Sequence, residues 1–258
     1  LHALLDGGGV EEWVEVERVC GTLPPGVLEH TAVAGLRATV ELLLAEADGR
    51  GLRRGPPEQR EIDMQLDDGA RIVGTVDLRL GAPSAGPVRL QFSRVKPVHQ
   101  LQAWLDLMAL VATDPGGPWR SVLVGRAPTG ATAAEVVELI PLDGGDHGLL
   151  SARAALDVVV DCYRRGLREP LPIFPALSFA VHRGKPSPAL WSGHNDRGDA
   201  HDDWVGTVFG DIDFDGIMTL GARTDDPPGS GGRVERYAHY LWGAFDRSAA
   251  VLDPAGSS

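Results

Sequence analysis

Between Arg71 and Leu110 the apolar and polar positions first alternate and then change period. Ile72, Gly74, Val76, Leu78 and Leu80 fall on one side of an extended chain and Val73, Thr75, Asp77 and Arg79 on the other, the two-residue repeat of a strand. Gly81 to Pro87, rich in glycine, proline, alanine and serine, predicts a turn, and Val88 to Val95 a second strand. From His99 onward Leu101, Trp104, Leu105, Met108 and Val111 recur at steps of three and four, which predicts an amphipathic helix.

The same reading extends both ways. Residues 1–19 read as the end of one element and a short one after it, Cys20 to Gly26 as a turn, and Val27 to Ala47 as a long helix stopped by Asp48 and Gly49. Residues 51–60 form a linker, and Glu61 to Leu66 alternate as a strand that ends in the hairpin turn Asp67-Asp68-Gly69. Downstream, Asp114 to Pro118 break the chain and Trp119 to Arg126 predict a strand, while Ala133 to Leu139 suit either a short helix or a strand. Ser151 is placed to cap a helix running to Gly166, with Leu156, Val159, Val160 and Tyr163 toward the core. Residues 183–233 read as loop-rich, with islands at Trp204 to Phe209 and Ile212 to Leu220. Arg233 to Phe245 return to helical spacing, and Asp253 to Ser258 look like a tail.

Strand, turn, strand, helix is the frame of a metal-dependent nuclease site, in which carboxylates from two strands hold Mg²⁺ and a lysine polarises the attacking water. Asp77 takes the first acid position. Fourteen residues on, where Asp/Glu-x-Lys is needed, the chain reads Gln91-Phe92-Ser93. An amide brings no negative charge to a hard cation, and a serine does not replace an ammonium. The frame is present and most of its chemistry is missing. Lys96 as a displaced lysine is awkward, because alternation puts it on the face opposite Gln91 and Ser93. His30, on the first long helix, corresponds to the helical histidine that active nucleases of this frame offer to the metal, but without its neighbours it reads as a helix-surface or satisfied histidine.

Other constellations fall short. Asp211, Asp213, Asp215 and Gly216 match the first half of a calcium loop, but position twelve is Ala222 rather than a bidentate glutamate. His194, Asp196, Asp199, His201, Asp202 and Asp203 offer ligands without a defined spacing. Arg164, Arg165, Arg168 and Arg183 make the one local basic concentration, suited to DNA phosphate, to an acidic partner or to a helix C-terminus.

The chain has 258 residues, 43% of them hydrophobic and 23% charged, the balance of a folded domain. Its net charge of −12 argues against nucleic-acid binding by bulk electrostatics. Cys20 and Cys162 lack metal-ligand spacing and are expected as buried free thiols. No apolar run approaches the roughly 20 residues that span a bilayer and no leader opens the chain, so a cytoplasmic location without membrane contact is expected. Opening on leucine rather than methionine, the chain reads as a fragment of a longer subunit.

Four motifs in order carry a resemblance: Gly21-Thr-Leu-Pro-Pro-Gly26 before a long helix, Gly74-Thr-Val-Asp77, Leu101-Gln-Ala-Trp-Leu105, and Tyr163-Arg-Arg-Gly-Leu-Arg-Glu-Pro-Leu-Pro172. With them the chain resembles the C-terminal domain of RecC, the gamma subunit of exodeoxyribonuclease V, the RecBCD helicase-nuclease. The resemblance implies an α/β (α+β) fold of the restriction-endonuclease or RecB-nuclease kind, a mixed sheet flanked by helices and catalytically degenerate. It also implies a role in double-strand break repair through packing on RecB-like and RecD-like subunits and lining DNA channels. On that reading Asp77, Gln91 and Ser93 are vestigial site positions, with no metal and no cofactor expected. The arrangement expected is one nuclease-like domain: a helical lead-in over 1–50, a sheet and helix core over 61–182, a loop-rich insertion over 183–233, and a terminal helix and tail over 234–258. The alternative is an active metal-dependent DNA exonuclease of the same fold that uses Asp77.

Overall fold

The computed structural model describes residues 9–24, 26–52, 57–81, 84–126, 134–193 and 198–252. Two helices, α1 (Val10–Val19) and α2 (Val27–Gly49), lead into β1 (Pro57–Gln65) and β2 (Arg71–Gly81). These strands pair antiparallel along their length, from Pro57 opposite Arg79 to Gln65 opposite Arg71. Their turn closes at Gly69, whose φ of 85° is the left-handed conformation a tight hairpin requires.

β3 (Ser84–Gly86) pairs antiparallel with the end of β2, whereas β4 (Val88–Leu90), one residue later, pairs parallel with β5 (Ser121–Arg126). One stretch of chain therefore leaves the first sheet and joins the second. The Arg120 N–H donates to the Ala85 carbonyl at 3.1 Å and the Val122 N–H to the Pro87 carbonyl at 2.9 Å, so the two sheets meet through these strands. Gly86 makes the crossing possible, because a Cβ there would lie 1.8 Å from the Arg120 carbonyl oxygen. The second sheet continues antiparallel through β6 (Ala134–Pro141) to β7 (Ala249–Leu252).

Parallel β4 and β5 need a crossover, and α3 (Pro97–Thr113) supplies it. Its apolar stripe, including Trp104, Leu107 and Leu110, packs with Val76 and Leu78 of β2 and Leu123 of β5. Leu156 of α4 (Gly145–Gly166) and Trp242 and Phe245 of α9 (Arg233–Ser248) complete this core. The Trp104 indole N–H donates to Ser248 Oγ at 2.8 Å, which satisfies a polar group that burial would otherwise strand. On the opposite sheet face, Val40 and Leu43 of α2 cover Val122, Val124 and Val136.

A third core gathers Phe174, Trp191, Ile217 and Val234. It lies among α5 (Pro175–His182), α6 (Pro188–Ser192), a 3₁₀ turn at Asp199–His201, α7 (Asp203–Phe209) and α8 (Phe214–Met218). The segment expected to be loop-rich carries short helices between its loops, and α7 and α8 fall on the islands at Trp204 to Phe209 and Ile212 to Leu220.

Several expectations need correction. The proposed turn over Gly81 to Pro87 contains β3, and the following strand stops at Leu90, not Val95. Of the two readings left open for Ala133 to Leu139, the strand is the one found, over Ala134–Pro141. Ser151 lies inside α4, which begins at Gly145, and does not cap it. Tyr163 is 65% exposed, because α4 ends beyond the core it covers. Cys20 is exposed, whereas Cys162 is buried and burial pushes its thiol up to about 12. Part of the linker, residues 53–56, and the tail from Asp253 lie outside the described residues. Among the described residues no helix is long and apolar enough to cross a membrane.

Candidate functional site

Alternation along β2 buries Val76 and Leu78 and leaves Asp77 exposed on the other face. Directly opposite on β1 stands Gln59, whose Nε2 donates to Asp77 Oδ1 at 2.9 Å. Glu61, opposite Thr75, is the carboxylate diagonal to Asp77 on that face. On the other flank β2 pairs with β3 only as far as Arg79 opposite Gly86, and beyond it the chain joins the second sheet. Val88 and Leu90 pair with Val122 and Val124, and Leu90 packs in the apolar cluster beneath α2.

Gln91 and Ser93 lie beyond the end of β4. Leu90 and Phe92, which flank Gln91, both pack beneath α2. The Gln91 N–H donates to the Val124 carbonyl at 2.7 Å, and the Ser93 carbonyl accepts from the Arg126 N–H at 3.1 Å. Both residues thus serve β5 through their backbones. Lys96 is exposed just before α3, where its N–H donates to His99 Nδ1 at 3.1 Å. His30 is exposed and lines a groove between α1 and α2 with Arg18 and Glu29, which form an ion pair. A hard divalent cation needs several anionic oxygens. On this face the Gln59 amide is bonded to Asp77, and Glu61 is the further carboxylate that the hairpin register places diagonal to it.

Among the described residues, three acidic ligand atoms come within 4.8 Å of one another at Glu169, Asp225 and Asp226. Arginines already occupy this place. Arg233, 6% exposed, donates from Nε to Asp226 Oδ1 at 2.9 Å and from Nη2 to Glu169 Oε1 at 2.8 Å. Arg223 pairs with Glu169 and its N–H donates to Asp226 Oδ2 at 2.7 Å, while Arg165 donates to the Asp225 carbonyl. Burial works to raise the Asp226 carboxyl, yet the Arg223 N–H and the Arg233 guanidinium hold it below its ordinary range. The guanidinium groups of Arg223 and Arg233 pair with the carboxylates of Glu169 and Asp226, which makes this an ion-pair knot that ties the chain just beyond α4 to α9. The sequence hinted at it only through Glu169 and Arg165 in the Tyr163 to Pro172 motif.

The basic residues are dispersed. Arg164 pairs with Asp68, Arg165 with Asp161 at 2.7 Å, and Arg183 with Asp246 through two bonds of 2.8 Å, while Arg168 is exposed. The aspartates of the supposed calcium and metal loops begin helices instead. Asp213 Oδ1 accepts from the Gly216 N–H at 2.8 Å, and Asp202 Oδ1 from Trp204 at 3.0 Å and Val205 at 3.2 Å. Asp199 reaches across to α5, where its Oδ2 accepts from Ala176 at 3.1 Å and Leu177 at 2.7 Å. His194 and Asp196 lie outside the described residues.

Comparison with known proteins follows the same line. The family described as the RecC C-terminal domain matches residues 1–185. The RecBCD enzyme subunit RecC of Mycobacterium tuberculosis (strain ATCC 25618 / H37Rv) is 33% identical over 153 residues, 59% of this chain and 13% of that protein. The RecBCD enzyme subunit RecC of Mycolicibacterium smegmatis (strain ATCC 700084 / mc(2)155) is 35% identical over 160 residues, 62% of this chain and 14% of that protein. The chain thus spans a small part of the length of the curated relatives it matches, and α6 to α9 lie beyond the family match. With residues 1–185 matched, well over half its length, the chain belongs to the RecC C-terminal domain family.

Proposed function

We propose that this chain is a noncatalytic, nuclease-like structural domain of the gamma subunit of an exodeoxyribonuclease V. It supports DNA unwinding and degradation in double-strand break repair by packing on RecB-like and RecD-like subunits and by shaping a DNA channel, in the cytoplasm and without a cofactor. One observation carries this reading. The mixed sheet with its α3 crossover is consistent with a restriction-endonuclease-like fold, and where such a fold needs Asp/Glu-x-Lys the chain reads Gln91-Phe92-Ser93 just beyond β4. A nuclease of this kind draws its metal site and water-activating lysine from that stretch, and an amide and a serine supply neither. Asp77 then serves as a hydrogen-bond acceptor for Gln59 across the β1–β2 hairpin.

A second reading, an active exonuclease, draws on Glu61, which lies diagonal to Asp77 on an exposed strand face. Incubating the purified chain with Mg²⁺ or Mn²⁺ and linear DNA separates the two. The structural reading expects no acid-soluble nucleotide above that of an Asp77→Ala control. Release abolished by Asp77→Ala and by Glu61→Gln would establish the exonuclease instead.

A further inference from the structure

The short helices after α5 use their inward side chains completely. Val205 and Phe209 of α7 face the core formed by Phe174, Trp191 and Ile217, and the Phe209 ring meets Phe174 edge-on with centroids 5.4 Å apart. Trp204 and Val208 point the other way. Trp204 is 84% exposed and Val208, one turn later, 50% exposed. Leaving an indole in water forfeits the burial of roughly 150–250 Å². Nor is Trp204 on a loose loop, since its own N–H is bound by the Asp202 cap at 3.0 Å.

The charge around this helix in the sequence has one sign. From Gly198 to Ala222 the chain carries six aspartates and neither lysine nor arginine. Asp199, Asp202 and Asp213 are spent on helix N-termini, whereas Asp203, Asp211 and Asp215 are exposed. A base-stacking role for Trp204 conflicts with this charge, because phosphate approaches basic surfaces. A rigid aromatic anchor with a uniformly acidic setting fits a basic protein surface that offers an apolar pocket.

We propose that α7 is a subunit-docking element, in which Trp204 enters an apolar pocket on a basic surface of a partner subunit. This rests on the structural-subunit reading above, but it concerns a part of the chain that the family match does not reach.

The test uses the full-length subunit containing this chain, assembled with its two partner subunits, and compares wild type, Trp204→Ala and Asp203→Lys/Asp211→Lys. Folding of each variant is checked by its melting curve, which substitutions at exposed positions should leave in place. Subunit affinity, measured by sedimentation at two salt concentrations, is expected to fall about tenfold or more for Trp204→Ala. The charge-reversal variant should lose affinity most at low salt. Quenching of tryptophan fluorescence by caesium should also drop on assembly of wild type but not of Trp204→Ala. Unchanged affinity in both variants, or Trp204 still open to caesium in the complex, overturns the docking proposal alone. Failure of the wild-type subunits to assemble overturns the structural-subunit reading and the docking with it. Protection of Trp204 by duplex DNA without the partners would assign this surface to nucleic acid and also refute the proposal.

Discussion

Single side chains show how burial and pairing set the energetics. Burial lifts the Asp199 carboxyl above its ordinary range, although the N–H groups of Leu177 and Ala176 pull it down. A carboxyl that binds its proton more tightly in the folded state contributes stability at low pH, and loses that contribution as pH rises through its folded value. Asp199→Asn keeps an oxygen for the same two N–H groups and removes the charge. Its melting midpoint should therefore gain on wild type as pH increases across roughly 3 to 7 and converge with it at the acid end; a gap that widens on acidification would contradict this. Arg233 is the opposite case. Its partner Asp226 has a fully buried side chain, so Arg233→Met leaves an unpaired carboxylate and should cost about 3–5 kcal/mol in urea unfolding. A loss below about 1 kcal/mol, the scale of an exposed pair, would show that water reaches the knot.

At the scale of elements, the decisive feature is the passage of one chain segment from β2 to β5. Residues 84–86 serve the first sheet and 88–90 the second, and Gly86 lets the Arg120 carbonyl approach at the crossing. Gly86→Ala forces those backbones apart and should destabilise the fold by on the order of 3 kcal/mol, the scale of strain at a position where no side chain fits. Chemical unfolding measures this, and a wild-type midpoint would show that the sheets separate without penalty. The same crossing leads the chain to Gln91 and Ser93, whose backbones bond to Val124 and Arg126 at β5. Glu61 was within reach of the sequence, because the Asp67-Asp68-Gly69 turn sets the β1–β2 register that places it opposite Thr75.

For the whole molecule, charge governs what the domain can meet. Arg164, Arg165 and Arg183 spend their charge on carboxylates of the same chain, and the net charge is −12. The isolated chain should show no salt-dependent affinity for duplex DNA in fluorescence anisotropy, and Arg164→Ala or Arg183→Ala should change nothing. Affinity that falls with salt and is lost in Arg168→Ala would restore a direct DNA contact. Among the described residues, the exposed polar face of the β1–β2 hairpin and the acidic helices after α5 are surfaces open to recognition.

Much was legible from the chain alone where the signal is local. The α2, α3 and α9 stripes, the alternation of β2 and the turn at Gly69 follow from periodicity and turn chemistry, which neighbouring residues specify among themselves. The absence of an Asp/Glu-x-Lys element was visible in the same way. Three outcomes depended on tertiary structure: β7, the shared core beneath the aspartate-capped helices, and the passage of one segment between two sheets. Four residues of strand carry too little pattern to stand out from the helix before them, and helices this short need a shared core of Phe174, Trp191 and Ile217 to hold them. The passage between sheets involves a contact distant in sequence, because the Arg120 carbonyl lies where a side chain at position 86 would stand.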